Sequence, residues 1–235
     1  MAAKNKFMNA MKMPAIADMF SSEADRQRES GDLVTEVPLS ELHPFVNHPF
    51  EVRDDEDMQK LVDSIKENGV LTNLTVRPRA EGGYEIISGH RRFHAAQLAG
   101  LDKIKVQVRD VDDDQAIIDM VDANIQREHI SPMEKARALK MKNEAMKRSA
   151  GRRKENGCQL DTHFPEAKTA TQIGADVGES PKQIFRYIRL NELIPELQKK
   201  VDSNTLKFNP AVELSYLTPD EQQSFLDYAE AQDCT

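Results

Sequence analysis

Several features that would indicate a secreted, zinc-binding or membrane protein are scarce or missing in this chain of 235 residues. The only two cysteines, Cys158 and Cys234, are too few for a disulfide framework or a cysteine zinc site. No apolar run approaches the roughly 20 residues that span a membrane, and the N-terminus lacks the apolar core of a signal peptide. We therefore expect a cytoplasmic protein that does not bind membranes.

Positive charge is concentrated in one part of a chain whose formal net charge is −8. Residues 131–200 contain 15 Lys and Arg against 9 Asp and Glu, whereas residues 1–130 and 201–235 are both acidic. Neutralising DNA phosphates requires a local basic surface and not a basic protein. The basic middle of the chain is therefore typical of a DNA-contacting module between acidic flanks.

The most informative short stretch runs from Ile86 to Gly100. Its two isoleucines predict the buried end of a strand, Gly89 predicts a turn, and the next residues predict a helix that ends before Gly100. Arg91 and Arg92 fall in the first turn of that helix, where free backbone N–H groups and the helix dipole favour an anion. The pattern indicates a phosphate site. The alternative is an ordinary strand-to-helix turn whose arginines are solvated or paired with acids.

Apolar periodicities predict a small α/β or α+β domain over residues 35–127. Alternating runs predict strands near residues 37–39, 74–77, 84–87 and 104–108. Acidic residues before amphipathic runs predict helices that begin after Asp54 or Asp55 and after residues 112–114, with Gly69 ending the first. Residues 1–34 are expected to form a flexible tail, either disordered or with an amphipathic segment that folds on a partner.

Residues 128–235 are expected to form an all-helical domain. A capping box at Ser131–Glu134 predicts a helix that runs to about Ser149, and residues 151–168 are expected to form a mobile loop containing Cys158 and His163. A second capping box at Thr169–Gln172 predicts a further short helix. Beyond residue 195, apolar positions predict three more helices.

A glycine turn at residues 178–180 separates that short helix from a basic one, so residues 169–190 fit a helix-turn-helix. Ile184 and Ile188 are expected to face the core. An ordinary helical hairpin is the alternative. The residues that we expect to face DNA are Thr171, Gln172, Ser180, Lys182, Gln183, Arg186 and Arg189.

Taken together, these segments resemble the ParB family of DNA-partition proteins over about residues 37–225. Four stretches carry the resemblance. They are residues 37–70, Ile87–Arg92, Ala123–Glu134 and the helix-turn-helix. The third is the most specific, because an Asn-Ile-Gln-Arg segment leads into a capping-box helix.

The resemblance implies an α+β fold, with a ParB/sulfiredoxin-like N-terminal domain before the helical domain. It implies a homodimer that binds CTP with Mg²⁺. This dimer would bind a parS-like site on double-stranded DNA and spread from that site as a clamp. The N-terminal tail would engage a ParA-type ATPase. The usual C-terminal dimer domain is not evident. Carried over by position, the nucleotide-binding residues would be Arg53, Gly89, His90, Arg91, Arg92, Asn124, Gln126 and Arg127, and Asn124 would also help to place Mg²⁺.

Three departures from the family pattern bear on the chemistry of this pocket. His90 replaces the glutamate of Gly-Glu-Arg-Arg, Ala123 replaces a glutamate before Asn124, and Thr72-Asn73 stands where Gln-Pro is common. An imidazole can donate to a phosphate or act as a base near neutral pH, but it does not restore two carboxylates. We therefore expect slow or absent hydrolysis with phosphate or nucleotide binding retained. The alternative is that the same substitutions leave a pocket that binds no CTP.

Two other functions remain open at the level of the sequence. A CTP hydrolase or a nuclease of the same fold is one, although the missing glutamates and the lack of a clustered metal-ligand set argue against it. A transcriptional regulator of a mobile element, which binds DNA without nucleotide switching, is the other.

Overall fold

The computed structural model describes residues 33–127, 130–154 and 165–231 of the chain. Most of the expected N-terminal tail lies outside these residues, as do Cys158 and His163 of the expected loop. Those two expectations therefore stay predictions.

Residues 33–127 form a five-stranded mixed sheet with three α-helices. The strands follow the order β1-β5-β3-β4-β2, in which β5 is parallel to β3 and β2 is parallel to β4. The other neighbouring strands are antiparallel, so the predicted α+β class is confirmed. The elements are β1 (Leu33–Pro38), β2 (Leu42–His43), α1 (Glu56–Asn68), β3 (Leu74–Pro78), β4 (Tyr84–Ser88), α2 (His90–Leu98), β5 (Lys103–Val108) and α3 (Asp113–Ile125).

Strand β4 is covered on both faces, which explains its uninterrupted apolar pair. Successive side chains of a strand point to opposite faces. Ile86 packs in a cluster with Phe93 of α2, while Ile87 packs in another cluster with Met120 of α3. Burying each isoleucine stabilises the fold by about 2 kcal/mol, and this fixes the strand that leads into Gly89.

The predicted helix signals of this region are confirmed. Asp55 caps α1, since its carboxylate accepts a bond of 2.8 Å from the Met58 N–H, and Gly69 follows the last residue of that helix. Asp112 caps α3 in the same way through the Gln115 N–H. Such caps satisfy backbone donors that a helix leaves without an internal partner.

Among the described residues after Ile130, every regular element is a helix. Ser131 and Glu134 form the predicted capping box, with Glu134 accepting from the Ser131 N–H at 2.9 Å and donating its own N–H to the Ser131 hydroxyl oxygen at 3.1 Å. None of the helices among the described residues is both long and apolar enough to cross a membrane. The helices are α4 (Pro132–Lys154), α5 (Pro165–Val177), α6 (Pro181–Arg189), α7 (Pro195–Asp202), α8 (Phe208–Leu214) and α9 (Pro219–Ala231).

Two predicted boundaries in this region are wrong. Helix α4 does not end near Ser149 but continues to Lys154, so residues 151–154, which were expected to lie in the loop, are helical. Helix α5 begins at Pro165, so Thr169 is an interior residue and not a cap. Thr169 is buried, and its hydroxyl donates to Asn143 Oδ1 of α4 at 2.9 Å. A contact between helices thus uses the side chain that the local pattern assigned to a cap.

The expected domain boundary lies between residues 127 and 128, but one apolar core contains residues from both sides of it. One apolar cluster contains Met120 of α3, Leu139 of α4 and Ile184 of α6. Lys142, which is 1% exposed, forms ion pairs with Asp122 at 2.6 Å and Asp176 at 2.8 Å. The two-domain description stays a prediction, and these contacts hold α4 between the helices on either side.

Candidate functional sites

The turn between β4 and α2 requires glycine. Gly89 has a φ of 104°, in the left-handed region that other residues rarely adopt. A Cβ atom at this position would lie 2.9 Å from Leu74 Cγ and 3.2 Å from Arg92 Nη2. The turn therefore brings the start of α2 against β3 and leaves its first backbone N–H groups without helical partners.

Arg92 connects the start of α2 to the loop before β3. Its Nη1 donates to the carbonyl oxygens of Thr72 and Asn73 at 2.5 and 2.8 Å. Burial lowers the pKa of Arg92, yet an arginine keeps its charge in a protein. Neutral carbonyls thus hold this guanidinium in place without neutralising it.

Arg91 and Arg127 complete what we call the three-arginine cluster, formed by Arg91, Arg92 and Arg127. Arg91 Nη2 lies 3.5 Å from Asp55 Oδ1, and Arg127 follows the end of α3. Partial desolvation lowers the pKa of Arg127, as do the charges of Arg91 and Arg92, while Glu134 acts in the opposite direction. Guanidiniums that repel one another around a helix start can be satisfied by a multiply charged anion.

His90, the residue before Arg91, is buried in the core and does not lie in solvent. The side chain is buried, its Nε2 accepts from the Phe45 N–H at 3.3 Å, and its ring lies 3.8 Å from the ring of His48. Desolvation lowers the pKa of His90 to about 3, and the neighbouring His48 and Arg127 act in the same direction. This imidazole therefore stays neutral well below pH 7 and is not poised as the base that a histidine can be near neutral pH.

The remaining predicted pocket residues differ in what they contact. Arg53 is exposed and lies 3.5 Å from Glu51 Oε2, while Gln126 is exposed at the end of α3. Asn124 is buried, and its amide nitrogen donates to the Met120 carbonyl at 2.7 Å. Among the described residues no three His, Cys, Asp or Glu side chains lie together as metal ligands. These residues do not fit a preformed Mg²⁺ site.

The capping-box residue Glu134 has a role that the sequence pattern did not indicate. Its Oε1 accepts from the Glu51 N–H at 2.9 Å, while its Oε2 accepts from Ser131. The start of α4 therefore holds the loop that contains Arg53. No local signal distinguishes this capping residue from any other, because its second partner lies 83 residues earlier in the chain.

Helices α5 and α6 form the predicted pair with a three-residue turn. Gly178 has a φ of 75°, and the Ser180 hydroxyl caps α6 by accepting from the Gln183 N–H at 3.2 Å. A Cβ atom at Gly174 would lie 2.5 Å from the Glu179 carbonyl oxygen, so this glycine allows the turn to fold closely against α5. The two helices and their three-residue turn are as the sequence predicted, and their assignment as a DNA-binding helix-turn-helix stays a prediction.

The core-facing side chains of this pair lie where they were predicted, and the DNA-facing assignment stays a prediction. Ile184 is fully buried and Ile188 packs against the same cluster. The DNA-facing candidates are exposed or half-buried. The exposed ones are Thr171, Gln172, Ser180 and Lys182, and the half-buried ones are Gln183, Arg186 and Arg189.

The two arginines of α6 are held by α8 and by the turn directly after it. Arg186 donates to Asn209 Oδ1 at 2.5 Å and lies 5.0 Å from the centre of the Phe208 ring. Arg189 donates to the Ser215 carbonyl at 2.9 Å and lies 4.4 Å from the Tyr216 ring. Sequence reasoning missed these partners, since no short motif links α6 to α8.

The basic residues of α4 are largely used inside the protein. Ion pairs join them to α3, to the turn before α6 and to the segment after it, in addition to those of Lys142. The pairs are Lys135 with Glu179 at 2.9 Å, Lys140 with Glu192 at 3.4 Å and Arg148 with Asp114 at 2.8 Å. The local excess of positive charge therefore overstates what α4 can offer to DNA.

Comparison with known proteins agrees with this architecture. Residues 23–125 match the family model described as the ParB N-terminal domain, the class of domain to which the sheet and its arginine-rich turn belong. The probable chromosome-partitioning protein ParB of Neisseria meningitidis serogroup A is 39% identical over 193 residues, which are 82% of this chain. The chromosome-partitioning protein Spo0J of Thermus thermophilus is 28% identical over 194 residues, or 83% of this chain. The chain belongs to the ParB family.

A solved structure shows the same fold. The C-terminally truncated chromosome-partitioning protein ParB from Caulobacter crescentus, complexed to the centromeric parS site, is 24% identical with a TM-score of 0.50. The match covers 81% of this chain and 97% of that one. Against the curated relatives the coverage is lower, since the chain spans 60% of the Neisseria protein and 64% of the Thermus protein.

Proposed function

We propose that this protein is a sequence-specific DNA-binding protein of partition type whose N-terminal region binds a nucleoside triphosphate, CTP by family resemblance. The observation that carries the proposal is the three-arginine cluster at the left-handed Gly89 turn. Three cations and the free N–H groups of a helix start converge there with few acids to neutralise them. A triphosphate supplies the concentrated negative charge that such a site favours.

Each arginine has a distinct part in this proposal. Arg92 is fixed by the Thr72 and Asn73 carbonyls and shapes the floor of the site, while Arg91 and Arg127 supply the donors that reach the phosphates. Gly89 allows close approach because it has no side chain. Mg²⁺ would be held mainly by the phosphates, since Asn124 is turned toward Met120.

We infer that hydrolysis is slow. His90 is neutral and already accepts a bond from the Phe45 backbone, and Ala123 brings no carboxylate to the site. The protein therefore lacks a poised base for water at this position. A hydrolase or nuclease function has no supporting group of metal ligands among the described residues.

DNA binding is assigned to α5 and α6. Lys182, which is exposed, and Arg186, which is half-buried, would contact the major groove from α6, and Ser180 at its start would donate to a phosphate. Relatives that match over four-fifths of this chain are named as chromosome-partitioning proteins, which supports a parS-like site as the target. The proposal also includes a homodimer that spreads from that site as a clamp. It further includes a ParA-type ATPase that binds residues 1–34.

Calorimetric titration tests the nucleotide part. CTP, GTP and ATP would be titrated separately, with and without Mg²⁺ and with and without bound DNA. We expect heat with CTP and a smaller effect of omitting Mg²⁺ than of removing Arg91. Absence of heat with every nucleotide would overturn this part and leave DNA binding untouched.

Selection of bound duplexes from a random pool, at a stated salt concentration, tests the DNA part. We expect one enriched sequence, whose preference disappears in Arg186→Ala. Lys147→Ala should weaken binding to all sequences alike. Enrichment of no sequence by the wild-type protein would contradict specific recognition. Measuring protection beyond a single bound site then separates partition-type spreading from simple repression.

A further inference from the structure

Four side chains from three helices stack into a ladder that ends at Arg186. Lys135 Nζ of α4 lies 4.6 Å from the centre of the Tyr187 ring, and that ring lies 4.8 Å from the Phe208 ring of α8. The Arg186 guanidinium carbon lies 5.0 Å from the centre of the same Phe208 ring. Cation–π and aromatic contacts of this kind restrict the rotamers of every member.

Arg186 is also fixed by two hydrogen bonds. Its Nη1 donates to Gln183 Oε1 at 3.1 Å, and its Nη2 donates to Asn209 Oδ1 at 2.5 Å. Both acceptors are neutral amides, so they orient the guanidinium without cancelling its charge. The basic residues of α4 differ, because Lys135 and Arg148 are paired with carboxylates.

This arrangement suits an arginine that reads a base. A guanidinium has five N–H donors, and two are used here, which leaves donors for a partner outside the protein. Two parallel bonds from arginine to O6 and N7 of guanine are the commonest specific contact in the major groove. Holding the side chain beforehand reduces the rotamer entropy lost on binding.

We propose that Asn209 and Phe208 are positioning residues for Arg186, and that α6 and the start of α8 together form the surface that reads a G·C pair. This inference rests on the proposed DNA-binding function. It deepens that function by assigning specificity to a segment outside the helix-turn-helix. Asn209 acts through Arg186 and sets the direction of its free donors.

The test begins with the duplex that the wild-type protein enriches from a random pool at about 150 mM salt. Every base pair of that duplex is then substituted, and the pair whose preference is lost in Arg186→Ala is identified. At that pair, Asn209→Ala should reduce discrimination about tenfold. Its affinity for unrelated DNA should stay within about twofold of the wild-type value.

A second variant separates orientation from charge. In Asn209→Asp the carboxylate still accepts from Arg186 but neutralises it. Discrimination at the pair should therefore be retained better than in Asn209→Ala. Affinity for all DNA should fall, and the slope of log affinity against log salt should decrease by about 1.

Matched controls and a double-mutant cycle complete the design. Gln223→Ala removes an exposed amide on α9 that bonds to Asp227, and it should leave base preference unchanged. Arg186→Ala with Asn209→Ala should lose no more discrimination than Arg186→Ala alone, since the two residues act as a unit. Thermal melts exclude misfolding as the cause.

The two proposals fail in different ways. Full discrimination in Asn209→Ala, or additive losses in the double variant, would overturn the positioning role while specific DNA binding stands. If the wild-type protein enriches no sequence, both proposals are wrong.

Discussion

The arginines of the three-arginine cluster and those of α6 have opposite surroundings. In the cluster, partial desolvation and the charges of Arg91 and Arg92 lower the pKa of Arg127. On α6, Arg186 and Arg189 each donate to a neutral oxygen and cover an aromatic ring. The positive charges of the three-arginine cluster repel one another and would be neutralised by an anion. The α6 arginines, by contrast, are held by hydrogen bonds to neutral oxygens. In the proposed function, the same residue type would bind concentrated charge in one region and present oriented donors in the other.

The largest expected effect is the loss of triphosphate binding when a member of the cluster is removed. Arg127→Ala should weaken CTP binding about 100-fold, because charge-assisted hydrogen bonds contribute roughly 1.5–3 kcal/mol each. Calorimetry measures the change. Arg109→Ala is the matched control, as it removes an arginine that is paired with Asp119 at 2.7 Å. Wild-type affinity in Arg127→Ala would show that the cluster is not the nucleotide site.

Acid should destabilise the region of the cluster through His90. The folded pKa of about 3 lies below the unfolded value of 6.5, so the unfolded chain binds more protons between these values. The contribution of His90 to the free energy of unfolding is therefore fully present above pH 6.5, and it is lost as the pH falls toward 3. At about pH 5 the loss from His90 should be about 2 kcal/mol relative to pH 7.5.

Urea unfolding at the two pH values measures this loss. His90→Gln, which can still accept from the Phe45 N–H, should reduce the difference. The lowered pKa of His48 adds to the effect with the same sign. Residues 165–231 contain no histidine, so the change reports on the first region. An undiminished pH difference in His90→Gln would contradict the assignment.

Removing an arginine should lower the free energy of unfolding when the arginine belongs to α6, but not when it belongs to the three-arginine cluster. Arg186→Ala loses a hydrogen bond to Asn209 and a contact with Phe208, which should cost about 1 kcal/mol in the free energy of unfolding. Arg127→Ala should leave the nucleotide-free protein as stable as wild type or slightly more stable, since it relieves repulsion. Lys182→Ala, on the exposed face of α6, is the control. Equal destabilisation by both arginine variants would remove the distinction between the regions.

The sequence predicted well what local signals determine. The Gly89 turn, the Asp55 cap and the Ser131–Glu134 box each depend on residues within four positions, and the structure contains all three. The family resemblance then identified the cluster, since Arg91, Arg92 and Arg127 come together only in the folded chain.

What the sequence did not predict depends on contacts between distant segments. His90 was expected to reach phosphate, but Phe45 and His48 hold it inside the core. Thr169 satisfied a capping pattern, yet it bonds to Asn143 of another helix. The partners of Arg186 on α8 carry no motif, because a phenylalanine followed by an asparagine gives no local signal of its contacts. Such contacts are fixed by packing and not by periodicity.

The smallest expected effect concerns inorganic anions, and it tests the comparison without any nucleotide. About 20 mM sulfate should stabilise the wild-type protein by under ~1 kcal/mol, the linkage expected for a dissociation constant near 10 mM. Chloride at equal ionic strength provides the reference, because both salts then screen surface charges alike. Sulfate also stabilises proteins by exclusion from their surface. The stabilisation by sulfate relative to chloride is therefore compared between the wild-type protein and its variants. The stabilisation by sulfate relative to chloride should shrink in Arg127→Ala and persist in Arg186→Ala, because Arg186 already donates to Gln183 and Asn209. If the stabilisation by sulfate were lost equally in both variants, the α6 arginines would bind anions as well as the three-arginine cluster does.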